Sequence, residues 1–244
     1  MKSRIVCLTV AISALLPFHA ATAQEEYDEV LEEITVTGSR ASFSSAEDAP
    51  VPVTVLSNEM LANTGATELG RAIQMAAPSF NFSSSSISDG TDALRPATLR
   101  GLGPDQTLVL INGKRRHTSA LIHVNTSVGR GTAGTDMNAI PISAVKRVEV
   151  LRDGAAAQYG SDAIAGVINI ILKDSAIDGM AALEYGETFD GDGETWVAFV
   201  NKGFALGEDG FINLTYQYRD RGATNRAGLD GTRQYPCTDG VSID

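Results

Sequence analysis

Residues 145–172 read VKRVEVLRDGAAAQYGSDAIAGVINIIL, and the fold follows from how this stretch divides. Val145 to Leu151 carries three valines in seven residues and reads as a strand. Asp153 then offers a side-chain acceptor to the free N–H groups of a short helix through Ala155, Ala156 and Ala157, which stops at Gly160. From Val167 to Leu172 every residue except Asn169 is apolar, so this strand expects cover on both faces. Strand, helical turn and covered strand in so short a stretch predict a compact domain of strands and short helices.

The flanking sequence extends the same texture. Val51 to Leu56 reads as a strand, and Thr67 to Ala76 as a helix with Leu69, Ala72, Ile73 and Ala76 on one face, Thr67 as its cap and Pro78 past its end. Ser83 to Ser86 marks a loop, and Leu108 to Ile111 a further strand. Asn112-Gly113 is the dipeptide that tolerates the positive φ angles of a two-residue hairpin turn. The domain spans residues 50–175 in this reading.

Beyond Lys173 the pattern changes to alternation. Gly179 to Gly186, Thr195 to Phe204 and Phe211 to Arg219 are strand-length segments separated by glycine-rich turns. In the third, Ile212, Leu214, Tyr216 and Tyr218 share one face and Asn213, Thr215, Gln217 and Arg219 the other, while Ala181, Leu183 and Tyr185 share a face of the first. An up-and-down antiparallel sheet with one greasy and one polar side follows, over residues 179–244. A membrane wall and a soluble sheet packed on the domain share this alternation, so periodicity leaves both open. Trp196, Tyr216 and Tyr218 suit a membrane-interface girdle.

The N-terminus precedes the domain with two distinct segments. Lys2 and Arg4, the apolar stretch Ile5 to Leu16, Pro17 and the small residues Ala21-Thr22-Ala23 have the order of a secretory signal peptide, residues 1–23. Its removal takes two of the 19 basic residues and none of the 30 acidic ones, moving the net charge from −11 to −13. Residues 24–49 are an acidic, disordered segment; Glu25, Glu26, Asp28, Glu29, Glu32 and Glu33 crowd its start, and Ile34-Thr35-Val36-Thr37 forms a β-prone run before Gly38-Ser39-Arg40.

Composition excludes several function classes. A chain that is 43% hydrophobic and 20% charged is not disordered throughout, and its acidic balance argues against nucleic acid as a partner. Two cysteines, of which only Cys237 outlasts the signal segment, permit no disulfide framework and no four-cysteine zinc site. Gly129 to Gly134 matches a dinucleotide pattern by spacing, but no helical periodicity follows it. Around Gly113-Lys114 the phosphate-loop pattern lacks its first glycine and its hydroxyl. Lys114 to His117 reads as an exposed strand edge, and Asp190, Asp192 and Glu194 as a hairpin tip lacking the glycine and glutamate of a calcium loop. With no nucleophile elbow and no partnered histidine, the residues support no catalytic site, cofactor or metal.

In several ordered places the chain resembles the TonB-dependent outer-membrane receptors. Glu33-Ile34-Thr35-Val36-Thr37 is similar to the TonB box. Thr98-Leu99-Arg100-Gly101-Leu102 with Thr107 to Lys114, and Val148 to Gly154 with Gln158 to Ile170, are similar to the two plug signatures. Arg100, Gly101, Asn112, Gly113, Glu149, Tyr159, Gly160, Gly166 and Asn169 stand in these signatures; Asp153-Gly154 departs from the Gly-Pro of many members.

The resemblance implies an α+β plug domain, a mixed small sheet with short helices, followed by the first antiparallel strands of a transmembrane β-barrel of about 22 strands. It implies uptake of a scarce small-molecule ligand, a siderophore or other nutrient, across the outer membrane, with no enzymatic step and with the N-terminal segment facing the periplasm. TonB, the inner-membrane energy-coupling protein, would contact Glu33, Ile34, Thr35, Val36 and Thr37, a β-prone peptide suited to adding a strand to a partner. Arg100 and Arg152 would face barrel-wall carboxylates, and Phe80 to Asp89 and Lys114 to Arg130 are expected as apical loops. The alternative is a barrel-less periplasmic module for binding or signalling. The 71 residues after Lys173 suffice for about five membrane strands, fewer than the roughly eight of the smallest barrels, so the chain is expected to hold a whole plug and an unfinished barrel.

Overall fold

The computed structural model describes residues 52–83, 94–124, 129–152, 156–207 and 210–225. The signal segment, the acidic segment, the box Glu33–Thr37, the cap Asp153 and Cys237 lie outside the described residues. In chain order the elements are β1 (Val53–Ser57), α1 (Asn58–Ala62), α2 (Leu69–Ala76), β2 (Phe80–Phe82), β3 (Ala97–Leu99), β4 (Thr107–Ile111), β5 (Lys114–Arg115), β6 (Val145–Leu151), α3 (Ala156–Tyr159), β7 (Gly166–Leu172), β8 (Gly179–Gly186), β9 (Thr195–Leu206) and β10 (Gly210–Arg221). Single 3-10 turns at Pro104–Gln106, Ile142–Ala144 and Ser161–Ala163 link them.

Five strands form one mixed sheet in the order β1-β6-β7-β4-β5. Only the β4–β7 pair is parallel; β1–β6, β6–β7 and β4–β5 are antiparallel. Strand β7 sits between β6 and β4 and is buried from Gly166 to Ile170, as its unbroken apolar run requires. On one face Val109, Val148, Val150, Ile168 and Ile170 pack with Leu61, Leu69, Ala72 and Ile73 from the two helices. On the other, Leu108, Leu110, Leu151 and Val167 pack with Ala163 and Tyr159. Each fully buried aliphatic side chain contributes about 1.5–3 kcal/mol relative to exposure, so these two layers supply most of the domain's stability.

Three expectations are corrected by the structure. Helix α2 starts at Leu69, and its N-cap is Glu68, which makes no side-chain capping bond, so Thr67 is not the cap. Phe80 to Phe82 is not an apical loop: Phe80 and Phe82 alternate inward with Asn81 outward, both rings are buried, and the strand pairs with β3. The following serines hide this three-residue, period-two signal in the sequence. Lys114 and Arg115 form the edge strand β5, exposed as their reading as a strand edge expects, and so are not the start of the second apical loop.

Strands β8, β9 and β10 form a separate antiparallel meander. The face turned to the domain carries Asn213, Thr215 and Gln217 of β10 and Asn201 of β9, with Val197 and Phe199 among them. Val197 and Asn201 are 2% exposed there, and Asn213 Nδ2 donates to the Ser175 carbonyl at 3.2 Å. The apolar face points away: Leu183 is 68% exposed, Tyr216 67% and Leu214 60%. A water-soluble sheet packed on a domain buries its greasy side, and this one does the opposite. Among the described residues no helix is long and apolar enough to cross a membrane, which says nothing of strands.

Gly166 shows why the second signature needs a glycine at the start of β7. Its φ is +138°, and a Cβ there would stand 2.3 Å from the Leu151 carbonyl oxygen and 2.6 Å from Leu99 Cδ2. Both neighbours are buried, one of them backbone, so neither yields cheaply. Gly166→Ala is expected to cost about 3 kcal/mol, read as a lower urea midpoint for protease cleavage within residues 52–175.

Candidate functional site

A polar chain of side chains runs through the otherwise apolar sheet. Arg147 Nε donates to Glu149 Oε1 at 2.9 Å, and Asn169 Nδ2 donates to Glu149 Oε2 at 3.3 Å. Asn169 Oδ1 in turn accepts the Gly113 N–H at 3.0 Å, and Asn112 Oδ1 accepts the Leu172 N–H at 2.9 Å. Glu149 is fully buried, and Arg147 lies two residues away on the same face of β6. A buried carboxylate is tolerated only when paired and hydrogen-bonded, and here β6, β7 and the β4–β5 turn supply the partners. The turn itself has Asn112 at φ +48° and Gly113 at φ +74°, the type I′ geometry that Asn-Gly favours. The structure thus brings together Asn112, Gly113, Glu149 and Asn169 of the two signatures. Arg147 completes them; its legible signal was its spacing of two from Glu149 on a strand.

The remaining signature residues gather at a second turn region. Arg100 at φ +58° and Gly101 at φ +76° follow β3, and the Arg100 guanidinium donates to the backbone carbonyl of Arg152. Arg115 ties the β5 edge to the α3 turn, pairing with Asp162 and donating to the Tyr159 carbonyl, just before Gly160 at φ +96°. The Arg115–Asp162 pair is half exposed on both sides, so it adds at most about 1 kcal/mol.

The contact between the domain and β8–β10 mixes polar and apolar side chains around an unfilled cavity. Glu68 pairs with Arg95 on the domain and, at 3.3 Å, with Arg219 on β10. A cavity of about 150 Å³ separates α1 and the Ile142–Ala144 turn from the strands, lined by Asn58, Met180, Glu184, Val197 and Gln217. Ser143 Oγ is buried beside it without a hydrogen-bond partner. Sequence reading missed the Glu68–Arg219 pair because no local pattern links residues so far apart.

Residues 119–124 and 129–134 lie side by side, joined by Ser119 N to Gly134 O (2.8 Å), His123 N to Thr132 O (2.9 Å) and Gly131 N to His123 O (2.7 Å). Gly129 and Gly131 have positive φ, so the glycine pattern is a loop and opens no helix. His123 is buried there, and burial pushes its imidazole below the ordinary value near 6.5. Among the described residues no group of three or more His, Cys, Asp or Glu could hold a metal ion.

Residues 45–167 match the family described as TonB-dependent Receptor Plug Domain, half of the chain. The chain belongs to this plug-domain family. The chain is 33% identical over 153 residues to the ferric enterobactin receptor PirA of Pseudomonas aeruginosa, a match covering 61% of this chain and 20% of that protein. It is 33% identical over 176 residues to the ferrienterobactin receptor of Escherichia coli, covering 71% and 23%. To the vitamin B12 transporter BtuB of Vibrio vulnificus it is 31% identical over 209 residues, covering 84% and 31%. Its structure superposes on a ferric enterobactin receptor mutant from P. aeruginosa in complex with enterobactin, with a TM-score of 0.56 and 26% identity, over 71% of this chain and 25% of that one. The chain therefore spans between a fifth and a third of the length of these curated relatives. These relatives are transport receptors, and the plug followed by antiparallel strands is the architecture shared with them.

Two measurements test the plug interior. Asn169→Leu removes one partner each from the buried Glu149 carboxylate and the Gly113 N–H; a loss of about 2–4 kcal/mol in urea unfolding is expected, against under about 1 for exposed Asn81→Leu. For His123 the folded pKa lies below the unfolded one, so the unfolded chain takes up the proton first. Loop stability is full above pH 6.5 and falls as pH drops through 6.5 toward the lowered value. Amide exchange across 119–134, corrected for intrinsic rate, is expected to quicken from pH 7.5 to 5.5, and less so in His123→Gln.

Proposed function

We propose that this chain carries the plug and first wall strands of an outer-membrane receptor that takes up a scarce ligand, a siderophore or similar nutrient, with energy relayed by TonB. The observation that carries the reading is the inverted polarity of β8–β10. Their large apolar side chains turn outward while Asn201, Asn213, Thr215 and Gln217 turn inward onto the plug, as a membrane wall around a plug requires. β9 and β10, 12 residues each, are long enough to cross an apolar band of about 25 Å at the tilt of about 35–45° such strands adopt. Tyr185 and Trp196 pack at one end of that face with centroids 4.6 Å apart and rings tilted by 52°, where an interfacial girdle belongs. The names of the relatives, receptors for ferric enterobactin and a transporter for vitamin B12, agree with uptake of a scarce chelate. A barrel-less periplasmic module has no use for such an outward face.

Within this reading the segment Glu33–Thr37 is the TonB contact. It lies upstream of β1, an edge strand of the plug sheet, so a pull on it reaches that edge first. Each main-chain hydrogen bond adds about 0.5–1.5 kcal/mol net, so four or five of them give a reversible coupling. The N-terminal segment then faces the periplasm, and Arg100 and Arg152, gathered at one turn, meet wall carboxylates on strands outside the described meander.

Ile34→Pro or Val36→Pro in the full-length receptor is expected to abolish energised uptake while ligand affinity stays within twofold, because proline removes a donor and stiffens the peptide. Uptake at the normal rate in either variant overturns the coupling role. Arg152→Ala is expected to loosen plug seating; unchanged channel leak and protease resistance count against its wall contact.

A further inference from the structure

The Asn112-Gly113 turn contains two groups that react with each other unless something holds them apart. The Asn112 carboxamide carbon is an electrophile beside the Gly113 backbone nitrogen, and glycine puts no side chain in the way of that nitrogen. No other asparagine in the sequence is followed by glycine. Ring closure joins Gly113 N to Asn112 Cγ, breaks the Cγ–Nδ2 bond and releases ammonia. Water then opens the succinimide at either carbonyl, leaving aspartate, or isoaspartate with the main chain running through the former side chain. Water is the sole co-reactant, and nothing is oxidised or reduced.

One strand holds both reacting groups. The Gly113 N–H donates to Asn169 Oδ1 at 3.0 Å, Asn112 Oδ1 accepts the Leu172 N–H at 2.9 Å, and the Asn112 N–H donates to the Ile170 carbonyl at 2.9 Å. All three partners belong to β7. The nucleophile is engaged as a donor and keeps the proton it has to lose, the same protection that slows amide exchange. The electrophile is pinned at its oxygen, so the carboxamide cannot turn its carbon toward the nitrogen. Asn112 and Gly113 are themselves exposed, so water reaches the turn and it is the clamp that withholds reaction. The clamp holds where β4 lies parallel to β7, with Ile111 opposite Ile170 at the last step before the turn.

We propose that Asn112 is a self-modifying site gated by β7: inert while the turn is clamped, it converts to aspartate and isoaspartate when β4 and β7 part. The change is one-way. Aspartate keeps an acceptor for the Leu172 N–H, but isoaspartate adds a carbon to the main chain, which a two-residue hairpin turn does not accommodate. Gly113 then no longer lines up with Asn169, and the thread through Glu149 loses its outer end. The covalent mark counts openings of the central sheet, independently of what the chain transports.

The test holds the full-length receptor in detergent at mildly alkaline pH, digests samples at intervals and scores the peptide ending at Lys114 for deamidation by mass, beside the same receptor unfolded in urea. The folded wild type is expected to convert at least about tenfold more slowly than the unfolded chain. Asn169→Leu releases the Gly113 N–H and is expected to speed conversion about fivefold or more. Leu61→Ala, a change at a fully buried core position away from the turn, is expected to leave the rate within about twofold. An isoaspartate-specific methyltransferase is expected to label part of the product. Equal rates in folded and unfolded wild type overturn the clamp, as do equal accelerations in the two variants at matched loss of urea stability. Should Asn169→Leu fail to fold, wild-type deamidation and exchange of the Gly113 amide are followed together in sub-denaturing urea: a parallel rise supports the gate, and exchange that quickens while deamidation does not overturns it.

Discussion

Hydrocarbon offers no hydrogen bonds, and on the membrane-wall reading proposed above that constraint orients everything after Lys173. A strand in lipid must pair its backbone with neighbouring strands and turn its polar side chains elsewhere. In β8–β10 the backbone pairs along the meander, while Asn201, Asn213, Thr215 and Gln217 turn to the plug side. Asn201 Nδ2 satisfies itself on Thr215 Oγ1 at 2.7 Å and Asn213 Oδ1 at 2.6 Å. The plug meets these polar side chains together with Val197 and Phe199, and its own facing surface is mixed in the same way, with Glu68, Asn58 and Ser143 beside Ala62, Ala66 and Ile142.

Two kinds of cohesion result. Inside the plug, buried aliphatic layers sandwich a sheet whose one polar thread, Arg147 to Glu149 to Asn169 to the Gly113 amide, is paired from end to end. Breaking such a thread strands a charge without water, which costs several kcal/mol. Between plug and wall there is a divided ion pair, a few amide contacts and a cavity, and no layer of buried aliphatic side chains like those inside the plug. A body held firmly within and weakly without can shift or come away as a unit, as the proposed uptake requires.

Much of this was legible in the residues, for stated physical reasons. β6 and β7 were readable because valine-rich and fully apolar runs have few other uses in a soluble domain, and Asn-Gly marked its turn because few residues tolerate two positive φ angles in succession. Alternation in β8–β10 was equally plain, yet it could not say which face met the plug; only three-dimensional contact decides that. Phe80 to Phe82 escaped notice because three residues carry a single period of alternation. Glu68 escaped because both its partners lie outside any local window.

Glu68 also shows how a departure from local rules marks a residue with a distant task. An acidic residue at the start of a helix ordinarily gains from the helix dipole or caps a free N–H. Here the N-cap carboxylate makes no capping bond, although Ser57 caps α1 in the ordinary way. The capping bond it forgoes is worth about 1 kcal/mol, and in its place the carboxylate bridges Arg95 and Arg219. Helix α2 starts without its cap so that plug and wall can share one carboxylate. A contact made at the expense of local stability is informative about function, because stability alone would have chosen the cap.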